Sequence, residues 1–400
     1  MSVEFELLRT CLGSGDSPPR LDLANWVEQR DLEWEKLFSL ARVHGVVAPL
    51  YLALRGYEGE IPQPVFATLT RDYHNAVGRS AFVTAELTRI LGIFREGGID
   101  VIPYKGPVLS EQIFGQSVIR ESKDLDLVLH KKDIIRARDV LIENGYEKDM
   151  VLSQRAEAFL LSSRKESSYD LRLPFPSGGG KQLKIELHWK IPLTSVVPRE
   201  WYWQNLETRR FQGQEILVFP IETLLIILLA HGFRHYWESL KWLSDIDLLV
   251  RRTETIRWDI FLSESSRLGV RRVVSFGLLL SREYLGTPLP ESIETVLEQE
   301  ERVRQLIPGA LQNLYGLQRC PVGAVNNILI RERLRDRFSY LRNILDYLFV
   351  PDLPDFLRFP LPRPLWPIYW VLRPLKVLTC FGDKYGRRVG LKILLGKRGN

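Results

Sequence analysis

IDVIPYKGPVLSEQIFGQSVIRESKDLDLVLH, residues 99–130, is where the chain changes its period. IDVIPY (99–104) predicts a short strand, KGPVLSEQIFG (105–115) a turn opening a helix with Pro107 near its first position, and DLDLVLH (124–130) a second strand. Residues two apart on a strand share a face, so Asp124 and Asp126 project together while Leu125, Leu127 and Leu129 turn to the core. Two carboxylates on one face repel unless a cation lies between them. Oxygen ligands favour a hard ion, and Mg²⁺ takes one or two carboxylates and completes its shell with water and substrate phosphates. The plainer alternative makes Asp124 a strand-start turn residue and pairs Asp126 with Arg120 or Lys123.

The flanks of this stretch are helical. WEKLFSLARVHGVVAPLYLAL (34–54) and VFATLTRDYHNAVGRSAFVTAELTRILGIFREGG (65–98) carry apolar residues at three- and four-residue spacing, and the second closes on a Gly-Gly stop. KKDIIRARDVLIENGY (131–146) returns to helical spacing and ends at Asn144 and Gly145. SSYDLRLPFP (167–176) and KQLKIELHWKIP (181–192) flank a glycine-rich turn at 177–180 and predict an antiparallel hairpin, with EILVF (215–219) as one more strand. From Pro220 to about residue 350 the periodicity is helical again. The expected fold class is α/β of the α+β kind, a small mixed sheet embedded between N-terminal and C-terminal helical regions. Its divisions are 1–98 (helical), 99–220 (sheet-bearing core), 221–350 (C-terminal helical domain) and 351–400 (basic tail rich in proline and aromatics).

KIELHWKI (184–191) alternates strictly, with Lys184, Glu186, His188 and Lys190 on one face and Ile185, Leu187, Trp189 and Ile191 on the other. Glu186 on that polar face could complete a two-metal site beside the aspartate strand or act as a base towards an attacking hydroxyl. His188 faces the same way and is a candidate for contact with substrate. Lys105 and Gly106 put a positive charge and free backbone amides where a strand runs into a helix, which is a plausible phosphate cradle. A half-solvated hairpin and an ordinary strand-to-helix connection would account for the same two stretches.

Composition narrows the class. An apolar share of 45% with 26% charged residues over 400 positions is a globular balance. The start, MSVEFELLRT, shows no export pattern, and the longest apolar run, LLIILLA (224–230), falls short of a membrane span. Cys11, Cys320 and Cys380 are odd in number and far apart, so a reducing, cytoplasmic setting is expected. The net charge of +6 sits in the tail, where residues 351–400 hold ten Lys and Arg against three Asp. Sequence-specific nucleic-acid binding is therefore not expected. The tail mixes aromatics and basic residues in a way that suits either weak contact with an anionic membrane or a wrap that buries its aromatics.

Taken in order, Lys105-Gly106, Arg120, Asp124-x-Asp126, Glu186 with His188 and Trp189, then His231, Trp242, Leu243, Asp245 and Ile246 form a set that resembles the nucleotidyltransferase superfamily of DNA polymerase β and the aminoglycoside nucleotidyltransferases. The set is closest to a bacterial family of uncharacterised nucleotidyltransferases and covers roughly residues 35–250. The resemblance implies a Mg²⁺-dependent enzyme, with two ions on Asp124, Asp126 and Glu186, an NTP such as ATP as substrate, and pyrophosphate as product. It also implies that Lys105 and Gly106 bind phosphates, with Arg120 and His188 nearby, Arg120 steadying either the phosphates or the aspartates. The acceptor could be a sugar, a lipid-linked intermediate, a peptide or a protein side chain. Most of the superfamily has Gly-Ser where this chain has Lys105 and Gly106. Asp245 and Asp247, a second Asp-x-Asp, lie on a helical stretch where residues two apart diverge, and they are not expected to share an ion. His231 and His235, four apart on a helix, lack the glutamate of a zinc hydrolase motif.

Overall fold

The computed structural model describes residues 2–13, 26, 32–163, 166–175, 182–191, 199–315, 328 and 330–380. The chain opens with helices α1 (Val3–Leu12), α2 (Trp34–His44) and α3 (Val47–Leu54). The run expected as one helix over 34–54 breaks at Gly45, whose φ of 67° ends α2 in the left-handed turn that glycine accepts without strain. The long helix α4 (Gln63–Glu96) buries Leu69, Ala76, Val83, Leu87, Ile90 and Phe94 along one face and ends at the Gly-Gly stop.

Strand β1 (Val101–Pro103), helix α5 (Gly106–Phe114), strand β2 (Asp124–Leu129), helix α6 (Ile134–Glu143), strand β3 (Glu147–Lys148), helix α7 (Gln154–Ser162) and strands β4 (Ser168–Pro174) and β5 (Gln182–His188) follow. They form a mixed five-stranded sheet in the order β1-β2-β5-β4-β3. β2 and β5 run parallel, and the other neighbouring pairs are antiparallel. The expected hairpin of β4 and β5 is present; its glycine turn lies outside the described residues. The register puts Asp126 opposite Glu186 and Val128 opposite His188. Leu125, Leu127, Ile185 and Leu187 are buried behind them, so a slip of one residue would turn these leucines and the isoleucine onto the polar face.

Strands β6 (Glu207–Phe211) and β7 (Gln214–Val218) pair as a separate ladder, which gives the strand expected at 215–219 its partner. Helices α8 (Ile221–Arg234), α9 (Leu240–Arg252), α10 (Trp258–Leu268), α11 (Arg271–Leu285), α12 (Glu291–Glu298), α13 (Glu301–Arg304) and α14 (Ile307–Leu314) complete the central body. One apolar core joins α1–α3 to α8–α14, so the first helices and those after residue 220 pack together. A second core lies between the sheet, the C-terminal half of α4 and α6.

Helices α15 (Leu334–Phe349), α16 (Leu353–Arg358) and α17 (Tyr369–Cys380) end the described chain. In the tail, Phe356 stacks on Phe159 of α7 with centroids 4.5 Å apart, Trp366 meets the same ring edge-on, and Tyr369 is buried, whereas Trp370 is 60% exposed. The apolar piece VGLKILLGK (389–397) lies outside the described residues. Among the described residues no helix is long and apolar enough to cross a membrane.

His44 ties the N-terminal helices to the site-bearing ones. Its Nδ1 accepts from the Leu240 amide at 3.3 Å, satisfying a donor that the start of α9 would otherwise leave orphaned, and its carbonyl accepts from the Ser239 hydroxyl at 3.0 Å. Burial brings the ring down to about 4, so it is neutral in the folded protein. An unfolded histidine titrates near 6.5. Protonation therefore favours the unfolded chain, and this contribution is complete above about pH 6.5 and lost as pH falls towards 4. Urea unfolding of the wild type should lose on the order of 3 kcal/mol across that window through this ring, and His44→Gln should flatten the slope. Equal slopes for the two proteins would remove His44 as the cause.

Candidate active site

Asp124, Asp126, Glu186 and His188 project from β2 and β5 into a cavity of about 730 Å³. The opposite walls come from the end of α2 (Leu40 to Gly45), from α8 and from the first turn of α9, so helices that precede and follow the sheet in the chain close over it. At the sheet edge, Lys105 occupies the N-cap of α5 and Gly106 takes a φ of 59°, a left-handed value that suits glycine.

The acids do not stand as a bare pair. Nε2 of His188 lies 3.2 Å from Asp126 Oδ1 and 3.0 Å from Glu186 Oε2. Lys105 Nζ is 3.5 Å from Asp126 Oδ2 and 3.3 Å from His231 Nδ1, and the Tyr104 hydroxyl donates to Asp126 at 3.4 Å. Burial alone would raise Asp126, but Lys105 and His188 outweigh it and hold its carboxyl far below the usual range. The hydrogen bond from His188 takes Glu186 down to about 2 against the effect of burial, with Lys184 adding to it. Burial disfavours the charge on His188, yet its two carboxylate partners raise the ring to about 9. Asp124 behaves differently: burial and the neighbouring Asp126 charge push it up, and its side chain has no hydrogen bond or ion pair among the described residues.

Arg120 lies outside the reach of this cluster's hydrogen bonds. Its buried guanidinium forms a bidentate pair with Asp245 at 2.8 and 2.9 Å and donates to the Ser122 hydroxyl. Asp247, two residues on, turns away to Arg251 and Thr287, so the second Asp-x-Asp diverges as helical geometry requires. His231 and His235 pack at 4.6 Å between centroids, each 5.2 Å from the Trp242 ring, on the cavity wall. Burial and the charge of Lys105 keep His231 neutral, with its pKa well below the ordinary value.

Tyr104, Lys241 and Arg234 are among the polar cavity residues that escaped the reading of the sequence. Tyr104 ends the first strand stretch; Lys241, brought down to about 8 by burial and by Arg120, donates to the Glu121 carbonyl at 3.1 Å. Arg234 closes α8. It falls three residues after His231, on the same helix face, and that spacing was the available signal.

Asp126, Glu186 and His188 each offer one ligand atom, and these atoms lie within 4.8 Å of one another. The buried Nδ1 of His188 has no hydrogen-bond partner among the described residues, and Nε2, which contacts both carboxylates, would have to give up its proton to ligate an ion. Two carboxylates and an imidazole fit a divalent cation, the oxygens suiting Mg²⁺ or Mn²⁺. Asp124 lines the same cavity from the same strand face, outside this trio. The sequence model of a family described as uncharacterised nucleotidyltransferases matches residues 30–286. The chain belongs to this family. The matched span takes in the sheet, the acid cluster, Arg120 with its partner Asp245, and the cavity walls on α2, α8 and α9. No curated protein and no solved structure matches the chain.

Proposed function

We propose that this cavity transfers a nucleoside monophosphate from an NTP, with ATP the first candidate, to a hydroxyl or similar nucleophile. The observation that carries the reading is the juxtaposition of Asp126, Glu186 and His188 in one cavity with Lys105, the N-cap residue of α5, within a nucleotidyltransferase family span. In the reaction, the acceptor oxygen bonds to the α-phosphorus and the bond to the bridging oxygen breaks. Pyrophosphate leaves, and the acceptor proton passes to a carboxylate on the same face of the sheet, Glu186 of β5 or Asp124 of β2. Asp126, Glu186 and His188 would hold a divalent cation, with Asp124 beside them for a second. The cation supplies charge neutralisation at the phosphates and a template for in-line attack. Lys105, already held beside the cluster, adds a positive charge at the phosphate end of the cavity, and the amides of α5 add hydrogen-bond donors. Positioning and electrostatics are what such a transfer needs most from a protein.

The acceptor follows from none of these contacts, so the test begins from the nucleotide. Purified protein with Mg²⁺ or Mn²⁺ and a panel of the four NTPs, with sugar, peptide and lipid-linked acceptors, should release pyrophosphate with at least one NTP. Nucleotide binding without release under every condition would instead favour a non-catalytic nucleotide-binding protein on this fold. That alternative draws on Lys105 and Gly106, which stand where most of the superfamily has Gly-Ser, and on Lys105 being already engaged by Asp126 and His231.

A further inference from the structure

Among the described residues five lysine and arginine side chains line the cavity, and three are already committed: Lys105 to Asp126 and His231, Arg120 to Asp245, and Lys241 to the Glu121 carbonyl. Lys123 and Arg234 make no hydrogen bond or ion pair among the described residues. Both side chains are exposed, Lys123 on the approach to β2 and Arg234 at the end of α8. Arg234 is different because the backbone behind it is unusual. The Trp237 amide reaches the Gly232 carbonyl at 2.9 Å and the Tyr236 amide reaches that of Phe233 at 3.1 Å, which is the Schellman pattern of a helix end. Glycine normally fills the left-handed position of this turn. Here Tyr236 occupies it at φ of 54°, and Trp237 after it is also at positive φ, 52°.

Two bulky residues in that region are held only where the surroundings over-determine them, and such positions cluster at binding and active sites. The surroundings are visible here. Trp237 is fully buried in a slot walled by Gly232 and Gly277, where an added Cβ would lie 2.6 Å from the indole in each case. The slot fixes the indole, the indole fixes the turn, and the turn sets the last residues of α8 at the cavity wall.

We propose that Arg234 is the anion-binding residue for the pyrophosphate portion of the substrate, with Tyr236 and Trp237 as positioning residues behind it. The proposal rests on the nucleotidyl-transfer reading and adds to it a site on α8, across from the sheet, for the leaving group. An uncommitted guanidinium suits this role because its planar fork can take two phosphate oxygens at once. Arg234 lines the same cavity as the acid cluster without pairing to it.

Calorimetric titration with inorganic pyrophosphate, without divalent cation, tests this apart from turnover. Arg234→Ala should weaken pyrophosphate by about 10- to 100-fold, and Arg234→Lys by less, because a point charge is kept and the fork is lost. Tyr236→Gly should fold and melt no lower than the wild type by more than a few degrees, yet lose several-fold in pyrophosphate affinity as the turn loosens. In steady state, Arg234→Ala should raise KM for the NTP, and Arg234→Lys should restore part of it. Pyrophosphate binding by Arg234→Ala within twofold of the wild type would overturn the proposal, and so would a wild type that binds no pyrophosphate. In that second case, NTP-dependent pyrophosphate release by the wild type would leave the transferase reading standing.

Discussion

Asp126→Asn is expected to lower NTP-dependent pyrophosphate release by at least about a thousandfold, the scale on which loss of one preorganised charged group at a reacting centre is felt. Asparagine keeps the size and one oxygen but removes the charge that would hold a cation, and it leaves Lys105 and His188 without their shared counter-ion. A stability cost follows from the same contacts. The nearest partners of Asp126 are cationic, so its loss should destabilise the fold by on the order of 1–3 kcal/mol at neutral pH. Asp124→Asn should do the opposite to stability. Its carboxyl is pushed up by burial and by Asp126, has no partner among the described residues, and is relieved of repulsion when neutralised. Steady-state assays and urea melts on both variants check the pair of outcomes. Wild-type turnover in Asp126→Asn would exclude the trio as the reacting site.

That contrast between two aspartates two residues apart was not legible in DLDLVLH. Alternation revealed that both point one way, and KIELHWKI revealed a second polar face, because period two is a local property. What separates the two acids is the parallel register of β2 on β5, which sets Asp126, not Asp124, opposite Glu186 and near His188. Register between strands about sixty residues apart is fixed by core packing on the hidden face, and a single sequence does not display that. The strand ETRRF escaped for a local reason: four of its five residues are exposed, so it lacks an alternating pattern. The Gln212–Gly213 turn after it, left-handed at both residues, was the available hairpin signal. The glycine slot around Trp237 could not be read, because its walls come from two helices that meet only in the folded chain.

Arg120 shows the same limit and leads to the second large effect. Next to the aspartate strand in sequence, it suggests a phosphate or carboxylate ligand in the cavity, but its bidentate partner is Asp245, on the helical wall. Both side chains are about 5% exposed, and the Arg120 amide also donates to Ser110 at 3.0 Å, so the pair fastens the approach to β2 onto α9. Removing one member of such a pair strands a buried charge. Asp245→Leu or Arg120→Met should therefore cost about 3–5 kcal/mol in urea unfolding, whereas the double variant Arg120→Met with Asp245→Leu should recover most of the loss. The double variant also separates a tie from a ligand. If Arg120 acts only by holding β2 against α9, restored stability should bring back nucleotide affinity, since the acids, Lys105 and Arg234 keep their places. Were its guanidinium itself a phosphate ligand, the repaired fold would still bind NTP poorly. Full additivity of the single costs in the double variant would count against the pair as a tie, because residues that share one buried contact are coupled.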